Sequence, residues 1–162
     1  MHWLPLILIS YSLTAKAAGP IVTGYLPHYR SNIIDTLPVE KLTDVIFFSI
    51  SPKADGSLDA SKVKPEVLRK LTKRAHLKGV RVHICVGGWG LSDGFAPMTA
   101  NPAARTTFIR NLTTFIHTQK LQGADIDWEH PKTVAEINNY QKLLVELKRS
   151  FAPHRLWLTA AV

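Results

Sequence analysis

The stretch LQGADIDWEHP (121–131) places acids at alternate positions, Asp125, Asp127 and Glu129, with Ala124, Ile126 and Trp128 between them. Alternation of polar and apolar residues marks a strand with two unlike faces. The acids share one face, with neighbours about 6.5 Å apart along the chain, while Ile126 and Trp128 point into an apolar layer. Carboxylates so placed titrate as a coupled set. A proton retained near neutral pH is what a general acid needs.

Outward from this stretch, four more runs read as strands: IVTGYL (21–26), DVIFFSI (44–50), VRVHICV (80–86) and LWLTAAV (156–162). With GADIDWE (123–129) they alternate with helical segments. Residues 65–77 carry Val67, Leu68 and Leu71 among basic residues and stop at Gly79. Asn101 before Pro102 is a helix start. Thr133 with Glu136 makes a capping box ahead of a stripe of Ile137, Tyr140, Leu144 and Leu147. Only a short helix fits between the first two strands. This order predicts an α/β fold with a parallel sheet, either doubly wound or closed into a barrel. A dinucleotide-binding sheet would show G-x-G-x-x-G after a strand; GYLPHYRSN has no such turn, and VGGWG leads into a loop.

LPLILISYSL followed by Ala15-Lys16-Ala17 fits a secretory leader, so residues 1–17 are expected to be a signal peptide on a secreted protein, extracellular or periplasmic. The apolar run is too short to span a membrane, and none is expected after cleavage. The formal charge of +8 comes largely from Lys62, Lys64, Arg69, Lys70, Lys73, Arg74 and Lys78. They form the solvated face of one amphipathic helix, so nucleic acid is not expected as a partner. A single cysteine, Cys85, permits no internal disulfide. No H-E-x-x-H or cysteine pair offers a zinc set, and no metal site is assigned. Asn111-Leu112-Thr113 is a glycosylation sequon in a eukaryotic host.

Other uses of the three acids fit less well. Read as a calcium loop beginning at Asp125, the sixth position is His130 where the sharp turn needs glycine. An ordinary glycosidase pair flanks the scissile bond from two sides. Three carboxylates on one strand face approach from one side, so the nucleophile must come from elsewhere.

GADIDWEHP closely resembles the D-G-x-D-x-D-W-E strand of glycoside hydrolase family 18, the chitinases and related endo-N-acetylglucosaminidases. VTGYLPHYR, LTDVIFFSI, HICVGGW and LWLTAAV are similar to its first, second, third and fifth strands, in that order. The resemblance implies a parallel (β/α) barrel of TIM type, with residues 18–162 holding the first five or so units of eight. It also implies substrate-assisted retaining hydrolysis of β-1,4-linked N-acetylglucosamine without a cofactor. Glu129 would protonate the glycosidic oxygen, and the substrate's acetamido carbonyl would attack the anomeric carbon. Asp127 would hold the acetamido N–H and share a proton with Asp125. Tyr25 would brace Asp125, Trp89 would stack on sugar, and Gly87 and Gly88 would let the backbone approach closely beneath the site. A non-catalytic chitinase-like lectin is the alternative, and the intact Glu129 argues against it. Chitin, chito-oligosaccharide, N-glycan core and peptidoglycan-related substrates all stay open.

The chain departs from the family pattern in three ways. Gln122 stands in place of the first aspartate. Cys85 replaces the serine that hydrogen-bonds the inner aspartate, and a thiol is the weaker donor. The sixth-strand Met-x-Tyr-Asp and the eighth-strand tryptophan are absent from the 162 residues, whereas a barrel takes about 250. The expectation is a fragment of a longer enzyme, inactive and aggregation-prone alone.

Overall fold

The computed structural model describes residues 19–161; the expected signal peptide, residues 1–17, lies outside them. Its elements are β1 (Thr23–Pro27), β2 (Asp44–Pro52), β3 (Leu58–Asp59), α1 (Pro65–His76), β4 (Arg81–Gly87), α2 (Phe95–Ala100), α3 (Pro102–Thr118), β5 (Gly123–Asp127), α4 (Val134–Phe151) and β6 (Trp157–Ala160). Five strands pair in parallel in the order β1-β2-β4-β5-β6, and β3 makes an antiparallel hairpin with β2. Two 3-10 turns, His28–Ile33 and Val39–Lys41, fill the link between β1 and β2.

Each strand's alternation sorts its side chains between two layers. Val82, Ile84 and Val86 of β4 and Ala124 and Ile126 of β5 are fully buried on the helix-covered side. Phe47, Leu68, Phe108, Leu112, Leu143 and Leu147 meet them there with almost no exposure. Each such side chain contributes about 1.5–3 kcal/mol by leaving water. The opposite face carries His83, Cys85, Asp125 and Asp127.

Local signals explain the helix ends. Asn101 accepts from the N–H groups of Ala103 and Ala104 ahead of α3. Thr133 and Glu136 close the capping box of α4. The stripe expected on α4 is shifted, however. Ile137 is 45% exposed, and the buried residues are Leu143, Leu147 and Phe151. The apolar positions allow two overlapping faces at helical spacing, and packing against the sheet selects the later one.

Strand bounds also move in all five expected strands. The first strand runs 23–27 instead of 21–26, and the second extends to Pro52. The acidic strand ends at Asp127, so Trp128 and Glu129 belong to the turn beyond it. The short helix α2 after VGGWG is an addition to the expected loop. Asn111 of the sequon lies on α3, where its Nδ2 donates to Gly56 O at 3.0 Å and pins the β2–β3 hairpin. Among the described residues, no helix is long and apolar enough to cross a membrane.

Candidate active site

Register places the acids. In a parallel sheet, paired residues point the same way, and Cys85, Asp125 and Thr159 are consecutive partners across β4, β5 and β6. Gly87 pairs with Asp127 one step further towards the C-terminal strand ends. Asp125 is 1% exposed. Its Oδ1 accepts from Thr159 Oγ1 at 2.6 Å, and its Oδ2 accepts from Tyr25 Oη at 2.9 Å. Tyr25 stands on β1, three strands away from β5, which a flat sheet would hold about 14 Å off. The sheet therefore curls so that β1 and β5 face each other across its inner side, as in a barrel.

Asp127 is 8% exposed, and its pKa lies above the ordinary carboxylate value. Burial is the main cause, followed by the charges of Glu129 and Asp125. Burial and the hydrogen bond to Asp125 push the Tyr25 phenol far up, so it stays a donor at any physiological pH. The Glu129 side chain is 30% exposed, with Oε2 3.9 Å from His130 Nε2. Behind this face, Trp128 stacks on Phe95 at 5.3 Å and meets the edge of Tyr140. Tyr140 Oη donates to Ile126 O at 3.3 Å, and burial raises its pKa to about 12.

The glycines lie tightly under the acids. Gly88 N–H donates to Asp127 O at 2.7 Å. A Cβ on Gly87 would lie 2.2 Å from that same oxygen, and one on Gly88 2.2 Å from the Phe48 ring. Both have positive φ, which a side chain would strain further. Cys85 is fully buried and its thiol is held far above its ordinary pKa, first by burial and then by the three carboxylates. Trp89 is 81% exposed, which sets aside a packing role for its ring. Tyr25 is half exposed.

Gln122 replaces an acid with an amide that ties β4 to β5. Its Oε1 accepts from Val82 N–H at 2.8 Å and lies 2.8 Å from His76 Nε2, while its Nε2 donates to Lys120 O.

Sequence reasoning missed two residues that support the site, Thr159 and Ser92, and one that organises the opposite end of the inner face, Asp44. Thr159 was within reach, since alternation in LWLTAAV puts it on the inner face two residues from Trp157. Ser92, next to the Glu129 amide, carries no periodic signal at all. Asp44 was the third. Its carboxylate accepts from Arg81 Nε (2.6 Å), Arg81 Nη2 (2.7 Å) and Thr43 Oγ1 (2.6 Å), with His83 Nε2 at 2.7 Å. Burial would raise its pKa, but these hydrogen bonds overcome it and hold the group well below the usual range. Arg81 in turn lies over the Trp157 ring at 4.2 Å. This network fills the inner face at the N-terminal strand ends, away from Glu129. A cleft of about 540 Å³ lined by Arg69, Lys73, His76 and Lys120 also opens at that end.

A curled parallel sheet with its carboxylates gathered at the C-terminal strand ends is the arrangement of a (β/α) barrel with a site at that face. The model of "Glycosyl hydrolases family 18" matches residues 21–162, and the chain belongs to that family. Among curated relatives, it is 30% identical to the endochitinase of Manduca sexta over 154 residues, covering 85% of this chain and 28% of that protein. It is 27% identical to probable chitinase 2 of Drosophila melanogaster, covering 87% of this chain and 30% of that one. The fold matches the crystal structure of Ostrinia furnacalis Group IV chitinase with TM-score 0.81 at 23% identity, over 89% of this chain and 44% of that one. The class V chitinase of Nicotiana tobaccum gives TM-score 0.79 at 22% identity, over 88% and 44%. The chain thus spans under a third of these curated relatives and under half of these solved chains. The fold is part of a TIM-type barrel.

Proposed function

We propose that this chain carries the acid and its helpers of a chitinase-type glycosidase that cleaves β-1,4-linked N-acetylglucosamine with retention. One arrangement carries the reading: Asp125 is held by two O–H donors, the buried Asp127 with its raised pKa lies beyond it, and Glu129 stands past the strand end, part-exposed. Both Asp125 oxygens already accept hydrogen bonds, whereas burial and the neighbouring Glu129 and Asp125 charges raise the pKa of Asp127.

In this reading Glu129 gives its proton to the glycosidic oxygen as the bond from that oxygen to C1 breaks. The 2-acetamido carbonyl oxygen attacks C1 from the other side, which supplies the nucleophile that a one-sided carboxylate set lacks. Asp127 receives the acetamido N–H and offsets the positive charge that develops on the ring formed. Water then attacks C1 and gives a proton to Glu129, which restores the acid. Trp89 offers an exposed aromatic face to a sugar ring. Residues 18–162 are assigned as the N-terminal part of the catalytic barrel and residues 1–17 as an export leader. On this assignment the described residues supply one wall of the cleft and are inactive without the other.

Release of chromophore from a chitobioside by the full-length protein and by Glu129→Gln tests the catalytic role. Hydrolysis by the first, with loss of at least about 100-fold in the second, is expected. Equal release from both would overturn it.

A further inference from the structure

The turn that carries Glu129 begins where the sheet stops. β4 and β5 pair as far as Gly87 with Asp127, and the positive φ of Gly87 and Gly88 (101° and 99°) steers the β4 chain away. From Trp128 onwards the neighbouring strand offers no ladder partner, and a buried amide left without one is costly. We infer that Ser92 is a positioning residue that holds the acid-bearing turn through the backbone amide of Glu129. This inference rests on the catalytic reading of Glu129.

Glu129 N–H donates to Ser92 Oγ at 3.1 Å. The same oxygen lies 3.0 Å from Gly88 O and 3.2 Å from Asp127 O, and its single proton serves these two carbonyls. One side chain therefore spans the end of β4, the end of β5 and the turn beyond. All three partners are main-chain atoms, so the hydroxyl is committed to support. Ser92 is 5% exposed, which keeps water from competing for these bonds.

Ser92 itself is anchored. Phe95 N–H donates to Ser92 O at 3.0 Å, and Leu91 N–H donates to Gly88 O at 3.0 Å. Three residues after Ser92, the Phe95 ring stacks on Trp128 with an interplanar angle of 15°. Residues 92–95 thus grip both members of the Trp128-Glu129 step, one through its ring and the other through its amide. The Glu129 side chain, 30% exposed, takes no part in these supporting bonds. An acid must meet a glycosidic oxygen within hydrogen-bond reach, and a displacement of about 1 Å can cost about 100-fold in rate.

The test compares Ser92→Ala, Ser92→Thr and Glu129→Gln in the full-length protein with two readouts. Amide hydrogen exchange at Glu129 reports on the clamp without any need for activity. Exchange about 10-fold faster in Ser92→Ala is expected, with near wild-type exchange in Ser92→Thr and no change in α3. With a chromogenic chitobioside, kcat should fall about 10- to 100-fold in Ser92→Ala while KM holds, and Ser92→Thr should recover most of it. Unchanged Glu129 exchange in Ser92→Ala overturns the clamp. Faster exchange with a wild-type kcat overturns the positioning role. If Glu129→Gln matches the wild type, the catalytic reading fails, and the exchange result still decides whether the clamp exists.

Discussion

Tyr25 Oη and Asp125 Oδ2, exactly one hundred positions apart in sequence, meet at 2.9 Å across the inner face of the sheet. With Thr159 on the other oxygen, this bond satisfies a carboxylate that is almost wholly removed from water. Tyr25→Phe removes one donor and leaves an acceptor short. A loss of about 1–3 kcal/mol in urea unfolding is expected. Thr159→Val should cost a similar amount. The double variant should lose more than the sum, because Asp125 then has neither donor. Strict additivity would mean that the two bonds are not coupled through Asp125.

The exposure of Trp89 separates stacking from packing. A ring that is 81% exposed adds little to stability, so Trp89→Ala should shift unfolding by no more than about 0.5 kcal/mol. If the ring carries sugar, KM for chito-oligosaccharides should rise about 10-fold, equivalent to about 1.4 kcal/mol, with kcat little altered. An unchanged KM would remove Trp89 from the binding surface.

What could be read from the sequence was local and periodic. Period-two alternation in VRVHICV and GADIDWE sorts Ile84 and Ile126 from His83 and Asp125 before any coordinates. The caps at Asn101 and Thr133 are equally local, since donor and acceptor lie within three residues. Contacts across the sheet were harder to see. Asp44 stands 37 residues from Arg81, and nothing local distinguishes it from a solvated strand-start acid. Ser92 is a polar loop residue whose role depends on two glycines turning one strand aside. Tyr25 was reachable only through the family resemblance, because its partner depends on how strongly the sheet curls.

Cys85 combines a buried site with a thiol held firmly protonated by burial and the nearby acids. The thiolate is the reactive form, so the native protein should resist alkylating reagents and react only on unfolding. Labelling by iodoacetamide with and without urea, read by mass spectrometry, checks this. Cys85→Ser puts a stronger donor beside Asp125, its register partner, and should displace the pH–rate profile of the proposed hydrolysis. Rapid labelling of the native protein would contradict the buried, protonated state.

Asp127 and Asp44 should give stability opposite dependences on pH. The folded pKa of Asp127 is raised, chiefly by burial, so the native state binds its proton more tightly than the unfolded chain. Its contribution is full below the unfolded carboxyl value of about 3.9 and is lost as pH rises through the higher folded value. Asp127→Asn should therefore be more stable than the wild type at pH 7, by a margin that shrinks on acidification. Asp44 is the reverse case. Hydrogen bonds led by Arg81 outweigh its burial and depress its folded pKa, so its contribution is present above about 3.9 and is lost as pH falls towards the folded value. Asp44→Asn should cost about 3 kcal/mol at pH 7, the low end for a broken buried pair because the Arg81 side chain is 30% exposed. That cost should fade in acid. Urea midpoints for the three proteins between pH 3 and pH 8 (about the range in which carboxylates and histidines titrate) test both signs together. An Asp127→Asn variant less stable than wild type at pH 7 would contradict the raised pKa of Asp127.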